Sequence, residues 1–195
     1  MLQTTSLGKD THHLPYFRNM DTLFRSTLIN GFRLNLSYTQ ELVGDVPEQL
    51  MSQQPKGFTN HPSFTIGHLV TAVALSAKIF GVPYDVPADW DELFRRKGSA
   101  DSTLASGSME RYPTKSQLLN ALDTRGEALI LQIMNTEHSV FSESYDWKFS
   151  RHMPTKGEAL AFMCLIHHSW HIGQLAEWRR FMNLPPVLRN LLDGD

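Results

Sequence analysis

Three histidines carry the clearest chemical potential of this chain: His68, and the pair His167 and His171 within the run HHSWH. On a helix, residues four apart lie on one face with Cβ atoms ~6 Å apart, so two imidazoles at that spacing can converge on one ion. A third imidazole from a neighbouring helix completes a face of ligands. Metal–nitrogen bonds of about 2.0–2.1 Å then leave one or more positions for water or substrate, the arrangement of catalytic rather than structural sites. Three neutral ligands leave a divalent ion's charge uncompensated. Such a charge lowers the pKa of a metal-bound water to ~7 or deprotonates a coordinating thiol, so the expected reactions are hydrolysis and thiol transfer. No side chain stands out as the catalytic group. In HHSWH, His168 occupies the place where HExxH requires its general-base glutamate, which disfavours peptide hydrolysis by that route.

Helices must present these rings. Pro62 suits a first helical turn, and Gly81 with Pro83 stops the same helix, which predicts a helix over 62–80. In it His68 lines up with Phe64, Ala72, Leu75 and Ile79. This helix is apolar on nearly every side, as expected of one buried all round or packed on a second subunit. A capping box of Thr155 and Glu158 opens a helix over 156–182, whose apolar side is read as Met163, Ile166, Trp170 and Phe181. His167 falls between Met163, Trp170 and Gln174, with His171 at the edge of that stripe. His168, rotated by about 100° from His167, is expected at the surface.

Two more helices complete the set. Phe24, Leu28, Phe32, Asn35, Leu36, Thr39, Leu42 and Val43 predict a helix over 21–43 capped by Asp21. The capping box of Thr114 and Gln117 opens another over 115–135, with Leu119, Leu122, Leu129, Ile130 and Ile133 on one side. The connection over 82–113 is too long for a simple link and reads as a lid containing a short helix at 90–96. Neither alternating strands nor internal repeats are found. The economical architecture is an all-α, antiparallel four-helix bundle: one domain over 1–195, with 1–19 as an extension and 20–187 as the bundle.

Each candidate has a plainer alternative. A lone histidine on an apolar face is more often a hydrogen-bonded core residue than a ligand, and for His68 by itself that reading prevails; three inward histidines on two helices shift the balance. Gln174, one turn beyond His171, could orient a ligand or merely bond a neighbouring helix. Asn35 and Thr39 interrupt the apolar face of their helix and could line a pocket, although local hydrogen bonding explains them as well. Cys164 reads as a small hydrophobe rather than a nucleophile. Arg125 and Glu177 flank apolar stripes, where snorkelling is the commoner role.

Composition narrows the partners. The 195 residues, 41% hydrophobic and 19% charged, support a real core, and the net charge of −2 offers no basic stripe for nucleic acid. One cysteine excludes an internal disulfide framework, and the opening MLQTTSLGKDTHHL lacks a secretory core, so a cytoplasmic setting is expected. Leu69 to Ala77 is too short to cross a bilayer, so no membrane span is predicted.

The runs FTIGHL at 64–69 and HHSWHIGQLAEWRR at 167–180 resemble the paired signatures of the DinB/YfiT superfamily of four-helix-bundle proteins, a likeness covering about Met20 to Val187. In that family one histidine follows a glycine early in the second helix, and two more precede a Gly-Gln in the fourth. The three together hold a divalent metal, and His68, His167 and His171 occupy their places. The resemblance implies a metal-dependent enzyme, in the company of thiol S-transferases and the mycothiol-dependent maleylpyruvate isomerase, working as a homodimer. Phe64 stands where tryptophan is frequent and Asn183 where glycine is; neither is a proposed ligand, and asparagine can take the left-handed helix-ending conformation.

The expected activity is therefore transfer of a low-molecular-weight thiol, or hydrolysis of a small molecule, at a three-histidine site. Zinc or nickel is the preferred ion, with iron or manganese as further candidates. The competing account is a non-catalytic bundle that binds a small molecule or a partner and keeps the histidines as a structural or vestigial site.

Overall fold

The computed structural model describes residues 15–96 and 105–188, the first seven of them by their backbone alone. Most of the extension expected over 1–19, and residues 97–104 of the long connection, lie outside this description. The described chain is all-α, without strands. Its helices are α1 (Pro15–Gly44), α2 (Pro62–Lys78), α3 (Ala88–Phe94), α4 (Lys115–Asn135), α5 (His138–Phe141), α6 (Lys156–Ala161) and α7 (His168–Phe181). Between α6 and α7, Phe162–His167 forms a π-helical segment, so residues 156–181 run as one helical rod with a widened stretch in its middle. Among the described residues no helix is long and apolar enough to cross a membrane.

α2 is the innermost element. Thirteen of its seventeen residues are buried, because α4, α3, α7 and the π segment all pack on it. Of the two explanations for its apolar composition, enclosure by its own chain is the one observed, so its surface provides no case for a second subunit. His61 caps the start: its Nδ1 accepts from the Phe64 amide at 3.3 Å. Thr71 and Ser76 satisfy their hydroxyls on the carbonyls of His68 and Ala72, both at 2.8 Å, so these buried polar groups carry no desolvation debt. Gly81, at φ +78°, ends the turn that follows.

Both capping boxes form as expected, Thr114 with Gln117 and Thr155 with Glu158. Asn183 takes φ 56°; its amide bonds the Arg180 carbonyl at 3.1 Å and the Leu184 amide bonds that of Arg179 at 3.0 Å, which closes α7 with a Schellman turn. Buried Arg179 joins the ends of α1 and α7 through the Leu42 carbonyl at 2.8 Å, the Pro185 carbonyl at 2.6 Å and the Asp45 carboxylate. The guanidinium next to Asp45 holds that carboxyl below its ordinary value, against a smaller opposing effect of burial.

Three expectations need correction. α1 is described from Pro15 onward, so Asp21 lies within the helix rather than at its start. Leu75, expected on the inward stripe of α2, is 38% exposed. The apolar side of the last rod is also displaced: Ile166, Trp170 and Phe181 are exposed, whereas Leu160, Cys164, His168, Ile172, Leu175 and Trp178 face the core. In i→i+5 turns each residue advances less than the roughly 100° of an α-helix, so a helical wheel carried across Phe162–His167 arrives about one position out of phase.

A candidate metal centre

The rod and α2 bring the three histidines together. Ring centroids are 5.3 Å apart for His68 and His167, 4.8 Å for His68 and His171, and 4.7 Å for His167 and His171. One nitrogen from each lies within 4.8 Å of the other two, and among the described residues no carboxylate or thiol joins the group.

What orients each ring is its outer nitrogen. His68 Nδ1 donates to the Phe94 carbonyl at 2.9 Å, at the end of α3, which leaves its Nε2 as a bare lone pair. His171 Nδ1 donates to Gln174 Oε1 at 3.0 Å, leaving its Nε2 equally bare and 3.3 Å from His167 Nε2. Hydrogen bonds of this kind on the far nitrogen fix both the tautomer and the aim of metal-binding histidines. The 3.3 Å separation matches what two bonds of about 2.0–2.1 Å span at a near-tetrahedral angle.

His167 is the least satisfied. Its Nδ1 is buried without a partner, so if its Nε2–H donates to His171 the ring still hides an unanswered acceptor. With an ion between the two Nε2 atoms the facing lone pairs are no longer in conflict. The donor set and the outer tethers of His68 and His171 fit a divalent cation, whereas His167 Nδ1 lacks a hydrogen-bond partner whichever tautomer the ring adopts.

The surroundings keep the rings uncharged. Burial lowers the pKa of His167 to about 3, with His68, Lys148 and His168 adding repulsion. Burial likewise takes His171 to about 3, with further repulsion from His68, His167 and Arg96. His68 is lowered by burial against the opposing effect of the Phe94 carbonyl. Phe64 stacks on His68 at 6.1 Å, and Phe162 lies 6.4 Å from His167.

His168 overturns its expected place. It is 1% exposed, packs edge-on to Phe32 at 5.7 Å, and its Nε2 meets Thr39 Oγ1 at 3.0 Å. Thr39 already donates to the Asn35 carbonyl at 2.8 Å, so His168 is the donor of this pair and its hydrogen bond faces α1, away from the metal candidates. Burial lowers its pKa to about 3 as well.

The polar candidates divide. Gln174 holds His171 and also accepts from Asn60 Nδ2 at 3.3 Å, while Asn60 Oδ1 accepts from Arg96. Asn35 serves the helix rather than a pocket: its amide donates to the Cys164 and Leu165 carbonyls at 3.0 and 3.3 Å, within the π segment, where the i→i−4 ladder is broken. Thr39 braces His168. Cys164 is core, and burial pushes its thiol far above the usual range. Arg125 clips the α2–α3 connection through the Asp85 carbonyl at 2.9 Å, and exposed Glu177 pairs with Arg180 at 2.9 Å.

Sequence reasoning missed Asn60 and the Phe94 carbonyl. The first sits in a polar loop with no periodic signal, and the second is a backbone atom with no signature at all. A cavity of about 840 Å³ beside Phe64, Trp90 and Tyr112 is not lined by any of the three histidines.

Three rings neutral in the fold but protonated in the unfolded chain make stability depend on pH. Between about pH 3 and 6.5 the unfolded state holds protons that His167, His168 and His171 lack, so stability rises with pH and is fully present above 6.5. In chelator, the urea midpoint should be level near pH 7–8 and fall between pH 6.5 and 5, above the carboxylate range. A midpoint unchanged down to pH 5 would show that these rings are not held neutral.

The molecule is thus a helical protein with a three-histidine cluster able to hold a metal ion. No protein-family model matches the chain, and no curated protein matches it in sequence.

Proposed function

We propose that the protein is a metal-dependent enzyme of the DinB/YfiT type, an antiparallel four-helix bundle that works as a homodimer and binds zinc or nickel through His68, His167 and His171. It transfers a low-molecular-weight thiol to a small acceptor, with hydrolysis of a small molecule as the nearest alternative reaction. The observation that supports this most directly is the locking of the outer nitrogens of His68 and His171, which turns their Nε2 lone pairs toward His167.

A divalent cation supplies Lewis acidity at such a cluster and favours the thiolate over the thiol. The protein's contribution is to make that acidity strong. A donor set of three neutral rings offsets none of the ionic charge, so an anionic ligand is favoured. Burial keeps the rings deprotonated at neutral pH, so they need shed no proton to serve as ligands. Phe64 and Phe162 exclude water from two sides, which strengthens electrostatic interactions inside the site. Gln174, held by Asn60, keeps His171 from turning away.

Metal analysis of the purified and reconstituted protein, followed by assay of small thiols with electrophilic acceptors, tests this reading. The expected result is one divalent ion per chain and turnover that requires both metal and thiol. A chain that takes up no metal, or takes it up and turns over neither thiols nor hydrolysable esters and amides, belongs to the non-catalytic alternative.

A further inference from the structure

Glycine inside a helix is destabilising relative to alanine and usually has a packing reason. Four of the helical glycines here have one: a methyl group at Gly31, Gly67, Gly126 or Gly157 would come within 3.0 Å of Leu165, Phe94, Leu36 or Phe141. Gly44 merely closes α1. Gly173, in the middle of α7, is different, because an added Cβ would meet nothing within 4 Å. The fold itself therefore does not require glycine there.

Gly173 lies between His171 and Gln174, and it lines a groove of about 420 Å³ together with Phe58, Asn60, Trp170 and Gln174. That volume is within the range of small-molecule sites, about 300–1,000 Å³. Trp170 is 56% exposed yet held edge-on by Phe162 at 5.4 Å, so much of its indole is presented to the outside in a set orientation. Phe58 is held in the same way by Phe181 at 5.3 Å. Asn60 and Gln174 are bonded to each other, and the inner member holds a ring of the cluster. Glu177 at the rim is paired with Arg180, so the groove offers aromatic surface, amides and uncovered helix backbone with little net charge.

We propose that this groove is a binding site for an uncharged planar ring, stacked on Trp170 and lying against the bare backbone at Gly173. The groove adjoins the cluster through Gln174, which lines it and holds His171, and the proposal stands independently of the metal reading. Gly173 keeps the floor clear for close approach of the ring, and Trp170 supplies the face on which it stacks.

The probe is 2-naphthol, planar and uncharged at neutral pH, titrated calorimetrically into the full chain in chelator and compared with Gly173→Leu and Trp170→Ala. Each substitution should weaken naphthol binding at least tenfold. Gly173→Leu should melt no lower than the wild type, because its side chain enters open space and leucine favours the helix. It should also bind zinc with wild-type stoichiometry. Failure of the wild type to bind naphthol, or equal binding by a folded Gly173→Leu protein, overturns the groove. Naphthol binding that is lost in Gly173→Leu sustains it even if zinc is not taken up by the wild type, a result that would overturn the metal reading alone.

Discussion

Substitution of His167 by alanine should abolish stoichiometric zinc binding, whereas substitution of the adjacent His168 should preserve the metal and weaken the fold. His167 Nε2 stands 3.3 Å from His171 Nε2 and has no competing partner among the described residues, so its loss removes one of three donors. At zinc concentrations 100-fold above Kd, binding to the native state stabilises it by about 2.7 kcal/mol, which for a chain of this size raises Tm by roughly 5–11 °C. His167→Ala should show no such rise. His168→Ala opens a cavity in the core beside Phe32 and should cost about 2–4 kcal/mol. Thr39 still donates to the Asn35 carbonyl in that variant, so the cost is lost packing rather than an orphaned donor. The measurements are zinc titration and thermal melts with and without metal. Equal loss of metal by both variants, with His168→Ala still folded, would mean that the wrong face of the rod has been assigned to the site.

Gly67→Ala is expected to damage stability and metal binding together, although Gly67 itself offers no ligand atom. Its added methyl would lie 2.3 Å from two carbons of the Phe94 ring, which is fully buried and confined by Phe64 and Trp90 at 6.2 and 5.8 Å. The ring cannot yield without moving its own backbone. That backbone carries the carbonyl that accepts from His68 Nδ1, so displacement of α3 releases the tether that aims His68 Nε2. Overpacking of this kind costs about 1–3 kcal/mol, a fall in Tm of roughly 2–12 °C. Loss of the outer tether should weaken metal binding by about 10–100-fold. Adding Phe94→Leu to Gly67→Ala should restore part of both by making room. A Gly67→Ala protein that melts and binds zinc like the wild type would show that α3 does not position His68.

Local signals are what the chain states directly. The two capping boxes, Gly81 and Asn183 at helix ends, and the four-residue spacing of His167 and His171 are each encoded within a few residues. They were legible because capping, left-handed turns and i,i+4 proximity are satisfied within one or two helical turns. The meeting of His68 with that pair was also expected, but the reason offered for His167 fails, because the stripe of Ile166, Trp170 and Phe181 on which it was read as inward is exposed.

Tertiary structure alone decided which way the rod's neighbouring side chains face. The π segment is held by Asn35 on α1, more than 120 residues away, whose amide pairs with the carbonyls of Cys164 and Leu165. No pattern within 156–182 announces that partner, so a uniform helical period misplaced His168, Ile166 and Trp170. The Phe94 carbonyl that aims His68 was equally hidden, because a backbone atom acquires a role only when distant segments pack. Local composition therefore specified the helices and nominated the ligands, whereas the phase of the last helix and the aim of each ring depend on hydrogen bonds between elements remote in the chain.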